Sequence, residues 1–289
     1  LVGSEMCIRD SHEDQILKLS KIPAEIDEVL IKKSLEWASM IAEELNFMGK
    51  MATDSIPENK TRLGSGLGSN GWNMSASGIA AVWATENTRD AIFEAFKRKE
   101  VYATSGPRIR LQVFAGWSFP KNAEISEDFS RIGNSFGVPM GGDLISPREQ
   151  NSPPSLLLRA VKDPLDANLD RLQVIKGWID GSGREHEKVY NVAWSDNRAL
   201  DSEGNLPKVG STVDLSSGQF TNTIGQSEFS LKWTDPDFNP QHQAFYYVRV
   251  LQIPTPRNGL LDSLALQLDS PPRGPKTIQE RAYSSPIWY

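Results

Sequence analysis

The period of the apolar residues changes twice between residues 79 and 113, and this change limits what the chain can fold into. Residues 79–84, IAAVWA, form an apolar run with the length of a buried strand. A strand that is apolar along its whole length is typical of a parallel sheet covered on both faces. We therefore expect residues 79–84 to form a parallel strand.

A helix is predicted to follow, beginning near Asn87. The side-chain oxygen of Asn87 can cap the first turn, and Asp90 places a carboxylate where the helix dipole favours negative charge. Ile92, Phe93 and Phe96 supply an apolar face, and three consecutive basic residues follow in the last turn.

Strand character returns after this helix. Residues 101–104, VYAT, read as a strand, and Gly106-Pro107 breaks it. Apolar side chains then alternate with polar ones from residue 108 onward, as in a half-buried strand. The order strand, helix, strand, turn, strand predicts an α/β layer joined directly to β structure.

The remainder of the chain has the rhythm of a β-sandwich, because short apolar stretches are separated by clusters of Gly, Pro, Asp and Asn. Residues 257–276 read as a long irregular connection. The predicted fold class is therefore α+β, with a partial α/β layer followed by a mostly antiparallel β-sandwich. The candidate strands are 108–115, 155–162, 171–178, 187–194, 227–233, 244–253 and one near 282–288.

The first 78 residues divide into three parts. Residues 1–11 have no apolar periodicity and lack an initiator Met, and we interpret them as a non-native leader, although an ordinary N-terminus is the alternative. Residues 24–46 place apolar side chains at helical spacing behind Pro23. Residues 52–78 are rich in Ser, Gly and Asn and read as a loop; a phosphate cradle there would need a strand before it and a helix after it.

Ordered sequence blocks carry a family resemblance over roughly residues 45–289. They include residues 83–89 (WATENTR), 99–109 (KEVYATSGPRI) and 233–238 (WTDPDF), and they continue to the C-terminal SPIWY of residues 285–289. These blocks resemble the bacterial family catalogued as domain of unknown function 3604. That family is in turn similar to the polymerase-and-histidinol-phosphatase (PHP) metallohydrolases.

The resemblance implies that residues 12–107 are the remnant of a PHP-like barrel and residues 108–289 a C-terminal sandwich domain. The full-length parent would be a metal-dependent hydrolase of phosphate or other esters, with zinc or manganese as cofactor and a small molecule as substrate. This chain departs from the pattern, because it has no His-x-His motif and no His between Ser34 and Leu45. We therefore expect the fragment itself to be inactive and to hold no metal. The alternative is a non-catalytic β-sandwich module that binds or packs on something.

Composition excludes several classes of function. The net charge of −6 and the lack of a long basic run argue against nucleic-acid binding, and no apolar run approaches the length of a membrane span. Cys7 is the single cysteine, so an internal disulfide and a cysteine-based zinc site are excluded. A lone cysteine is compatible with cytoplasmic and exported proteins alike.

Four side chains are candidate site residues. Glu86, Asn87 and Arg89 lie between a strand end and a helix start, which is where α/β barrels carry their active sites. The alternative is that Asn87 caps the helix and that Glu86 and Arg89 are exposed charges. His186 stands between two glutamates in a block that resembles the family, and a surface or packing role is its alternative.

The other candidates for chemistry read as turn residues. His242 lies in a turn-like stretch, and His12 lies beside the leader. Asp143, Asp235 and Asp237 could ligate calcium, but no ladder of alternating carboxylates surrounds them. The sequence therefore predicts no metal site in this chain.

Overall fold

The structure is a computed structural model, which describes residues 78–145, 152–268 and 275–289. Thirteen strands and four helical segments lie in these ranges. The strands are β1 (Ile79–Val82), β2 (Val101–Thr104), β3 (Arg110–Gly116), β4 (Val138–Pro139), β5 (Ser155–Val161), β6 (Leu169–Ile179), β7 (Glu185–Trp194), β8 (Glu228–Thr234), β9 (Gln243–Gln252), β10 (Thr255–Pro256), β11 (Thr277–Ile278), β12 (Arg281–Ser284) and β13 (Ile287–Trp288). The helical segments are α1 (Arg89–Lys97), the 3₁₀ turn η1 (Ala123–Ile125), α2 (Phe129–Phe136) and α3 (Asn258–Ala265).

The strands form two main antiparallel sheets. The larger sheet has the order β1-β2-β12-β9-β6-β7, with β13 paired to the start of β9. The smaller sheet has the order β4-β3-β5-β8, and β10 and β11 form a separate ribbon. Every ladder in these sheets is antiparallel. The described residues therefore have an α+β fold with a sandwich-like arrangement of sheets.

The hydrophobic core lies between the two sheets. Leu111 and Val113 of β3 contact it from the small sheet, and Val174 of β6 and Val248 of β9 contact it from the large sheet; all four are 0–1% exposed. Each such buried side chain stabilises the fold by roughly 1.5–3 kcal/mol. Strand alternation leaves the intervening side chains on the outer faces of both sheets.

Helix α2 and turn η1 cover the outer face of the small sheet. Phe129 of α2 packs with Phe114 and Leu157, which point away from the main core. A side chain at Gly133 would place its Cβ 2.4 Å from the ring of Phe114, so the helix approaches the sheet this closely only with glycine at residue 133. Only β structure was predicted between residue 108 and the irregular connection at 257–276, and α2 is a correction to that prediction.

The predicted strands of the sandwich are confirmed, with shifts of one or two residues at their ends. The candidate near 282–288 is two strands, β12 and β13, because Pro286 interrupts the ladder. Residues 257–276 were expected to be an irregular connection, but Asn258–Ala265 within this stretch form a helix, α3. Leu260 is buried and Leu264, four residues later, is half-buried, so the apolar spacing of one helix face was present in the sequence.

The prediction of a parallel strand at residues 79–84 is wrong. Strand β1 is antiparallel to β2 and lies at one edge of the large sheet, with Ala80 exposed. Its apolar character has another cause: Ala81 faces the main core, and Val82 packs under α1 with Val101. The expectations for residues 1–11, 24–46 and 52–77 lie outside the described residues.

In the described part of the chain, none of the helices has the length and apolar character needed to cross a membrane.

Candidate functional site

Glu86, Asn87 and Arg89 lie at the turn between β1 and α1, and all three are exposed. Thr88, not Asn87, caps α1: its Oγ1 accepts a hydrogen bond from the Ala91 amide at 3.3 Å. The Thr88 hydroxyl also donates to Glu86 Oε1 at 3.1 Å. The expected cap at Asn87 is therefore wrong by one residue, and Glu86 contributes to the start of the helix.

His186 lies on β7, at the opposite edge of the large sheet. Its Nε2 is 2.9 Å from Asp180 Oδ2, and its ring stacks on Trp178 with centroids 5.1 Å apart. Asp180 also accepts hydrogen bonds from the Ser182 hydroxyl and from the amides of Ser182 and Arg184. The Ser182 hydroxyl and then His186 hold the pKa of the Asp180 carboxyl well below its usual range. His186 therefore fastens the β6–β7 hairpin.

The predicted site residues do not come together. Glu86, Asn87 and Arg89 follow β1 at one edge of the large sheet, and His186 is on β7 at the other, with β2, β12, β9 and β6 between them. Strands in a sheet are about 4.8 Å apart, so the two groups are separated by roughly 24 Å. One small substrate cannot contact both groups.

A buried polar network, which sequence analysis did not predict, occupies one end of the sandwich. Lys176 Nζ donates to Asp235 Oδ2 at 2.6 Å and to the Asp237 carbonyl at 2.8 Å. The Tyr246 hydroxyl donates to the same Asp235 oxygen at 2.7 Å. The side chains of Lys176 and Asp235 are 3% and 0% exposed, so both charges are withdrawn from water.

Asp237 extends the network toward the surface. Lys188 and Tyr190 on β7 both donate to Asp237 Oδ2, at 2.5 and 2.7 Å. The hydrogen bond from Lys188, and then that from Tyr190, lowers the pKa of Asp237. Burial and then the acceptor Asp237 raise the pKa of Tyr190, so this phenol remains a hydrogen-bond donor.

Asp235 and Asp237 were considered as calcium ligands, and in the structure their carboxylates pair with protein side chains instead. Lysine ammonium groups and tyrosine hydroxyls occupy the positions around these carboxylates where a cation would lie. The sequence signal for the network is Lys176 itself, a charged residue within the apolar stretch of β6, since such a side chain is buried only when it is paired.

A cleft of about 620 Å³ opens near Gly177 of β6, the residue that follows Lys176. Phe245 and Trp288, with ring centroids 5.0 Å apart, stand over Gly177, and a Cβ at that glycine would lie 2.4 Å from the Phe245 ring. Glu185 and Glu187 line the cleft as well. These alternate positions of β6, β7 and β9 place the cleft on the outer face of the large sheet.

The resemblance to metallohydrolases implies zinc or manganese, which prefer clusters of His, Cys, Asp and Glu. Residues 78–145, 152–268 and 275–289 contain no group of three such side chains that could hold a metal ion. The described residues therefore do not fit the implied metal, and no chemical step is derived through one.

A family model described as "Protein of unknown function (DUF3604)" matches residues 36–289. The chain belongs to this family. No curated protein and no solved structure matches the chain. The match extends 42 residues before Gly78, so family sequence also precedes the described residues.

Proposed function

We propose that the described β-sandwich is a non-catalytic module of a PHP-type metal-dependent hydrolase that acts on phosphate or other esters. In this proposal a PHP-like barrel carries the metal ions and the chemistry, and the sandwich packs against the barrel and supports it. The sequence blocks that resemble the PHP-related family are the basis for the hydrolase. The described geometry is the basis for the non-catalytic role.

The observation that carries the non-catalytic role is the separation of the candidate catalytic residues. General acid–base catalysis needs a proton donor or acceptor within hydrogen-bond reach of the reacting group. The turn that bears Glu86 and the hairpin that bears His186 lie at opposite edges of a six-strand ladder. His186 is also already paired with Asp180 and stacked on Trp178.

The internal charges favour the same conclusion. Lys176 and Asp235 satisfy each other inside the sandwich, and Asp170 is held by Arg171 and Arg198. Catalytic groups need open coordination toward a substrate, whereas these groups use their hydrogen bonds to join strands and loops.

A test is elemental analysis of the purified 289-residue chain after dialysis, together with an assay on a chromogenic phosphate ester with added Zn²⁺ or Mn²⁺. We expect well under one equivalent of transition metal per chain and no turnover above buffer. The variants His186→Ala and Glu86→Ala serve as controls. If the chain retains about one equivalent of metal, and turnover is lost in either variant, the non-catalytic proposal is wrong.

A further inference from the structure

The outer face of the large sheet carries a stripe of apolar and aromatic side chains. Phe245 and Tyr247 stack along β9 with ring centroids 6.4 Å apart, and Trp288 contacts Phe245. Register places Ile175 and Val189 beside Tyr247; Ile175 is already buried, at 1% exposed, whereas Val189 is 39% exposed. Among the described helices, α1 packs on this face, at the β1–β2 edge through Val82.

Two arginines lie at one end of this stripe. Arg249 and Arg281 are on adjacent strands and flank Tyr283. Burial alone would raise the pKa of Tyr283, but hydrogen bonds from Arg281 and Arg249 outweigh it and lower that pKa. In the described residues, neither arginine forms a salt bridge with a carboxylate, because Arg249 donates to Gln173 and Arg281 to the Gln279 carbonyl. Two guanidinium groups therefore lie at this end of the face, with the Glu280 carboxylate near Arg281.

Residues 24–46 have the complementary chemistry. Their sequence predicts an amphipathic helix whose apolar side chains include Ile26, Leu30, Trp37 and Ile41. The same 23 residues contain six acidic and two basic side chains, so the segment is acidic. Such a helix would be about 35 Å long, close to the roughly 33 Å of the ten-residue strands β7 and β9.

The connection allows this segment to reach the sheet. The described chain begins at Gly78, immediately before β1, and β1 is an edge strand of the same large sheet. Residues 47–77 provide 31 residues between the segment and this edge, against a sheet width of roughly 24 Å.

We propose that residues 24–46 dock as an amphipathic helix on the outer face of the large sheet. The apolar side chains cover Tyr247 and Val189, and the cleft at Phe245 and Trp288 receives a large side chain such as Trp37. The acidic side chains lie toward Arg249 and Arg281. This inference does not depend on the hydrolase proposal.

The test uses a single cysteine as a reporter of coverage. In a Cys7→Ser background, Val189→Cys places a thiol at the middle of the face, and its rate of labelling by a maleimide is measured. Trp37→Glu puts a charge into the apolar side of the segment, and Ser39→Glu is the matched control on its polar side. We expect Trp37→Glu to increase the labelling rate of Val189→Cys about tenfold, because it opens the docked segment. Ser39→Glu should leave that labelling rate nearly unchanged.

A second measurement changes a residue of the sheet face and follows the effect on residues 24–46. Tyr247→Glu should increase amide hydrogen exchange across residues 24–46, and Lys121→Glu, on an exposed loop, should not. Circular dichroism and the Tm of each variant establish that the sandwich remains folded. Equal labelling in Trp37→Glu and Ser39→Glu would overturn the proposal. Protection of Val189→Cys that weakens on dilution would overturn it in favour of a second copy of the chain.

Discussion

Two buried charge clusters are organised differently within the same sandwich. The first joins Lys176, Asp235 and Tyr246, each on a different strand or strand end, and lies between the sheets. The second surrounds Asp170, whose carboxylate accepts from Arg171, Arg198 and Gln279.

The two clusters differ in the hydrogen-bond acceptors and the contact with water that each cation keeps when its carboxylate is removed. Lys176 is 3% exposed and its ammonium group has one carboxylate and one carbonyl as acceptors. Arg171 and Arg198 are 14% and 10% exposed and also donate to carbonyls of residues 195, 206 and 207. The first cluster therefore holds the sheets together, and the second anchors a loop whose guanidinium groups have alternative acceptors.

The largest expected effect is that of Asp235→Ala. This change leaves the Lys176 ammonium buried without its carboxylate, which typically costs about 3–5 kcal/mol of unfolding free energy. Urea denaturation measures this loss. The matched control is the double variant Lys176→Met with Asp235→Leu, which removes both charges and should recover most of the stability. A single variant as stable as the parent would show that water reaches Lys176.

Asp170→Ala should have a smaller and more local effect. The two guanidinium groups keep their carbonyl acceptors and some contact with water, so we expect a loss of about 2 kcal/mol. Hydrogen exchange should increase in residues 196–207, which these arginines hold. Exchange that rises equally in β3 and β5 would instead place Asp170 in the cooperative core.

The smallest effect is a pH dependence at Asp237. Lys188 and Tyr190 lower the pKa of this carboxyl in the folded state. Its stabilising contribution is therefore complete above the unfolded-state pKa, about 3.9, and is lost as the pH falls below that value. The side chain is 46% exposed, so solvent screens most of the contribution.

Lys188→Met should reduce the loss of Tm between pH 5 and pH 3, and Lys232→Met is a control on the neighbouring strand β8. An unchanged slope in Lys188→Met would show that the ion pair is absent in solution.

Sequence reasoning predicted the local elements well and the candidate site poorly. Alternating apolar residues predicted β3, and apolar stretches bounded by Gly, Pro, Asp and Asn clusters predicted β5, β6, β8 and β9, because both signals are properties of neighbouring residues. The network around Asp235 was not predicted, since Lys176 and Tyr246 meet only when β6 pairs with β9, and Asp235 joins them only when the two sheets pack together.

The sequence by itself determined that the chain is α+β, with a helix after residue 88 and a sandwich after residue 108. Only the tertiary structure decided that β1 is antiparallel and shares a sheet with β6, β7 and β9. The physical reason is that an apolar tetrapeptide is equally suited to a parallel strand and to an edge strand with a helix above it. Which of these forms depends on pairing that is not local, since β1 pairs with β2 and β2 is in turn held in the sheet by the distant strand β12.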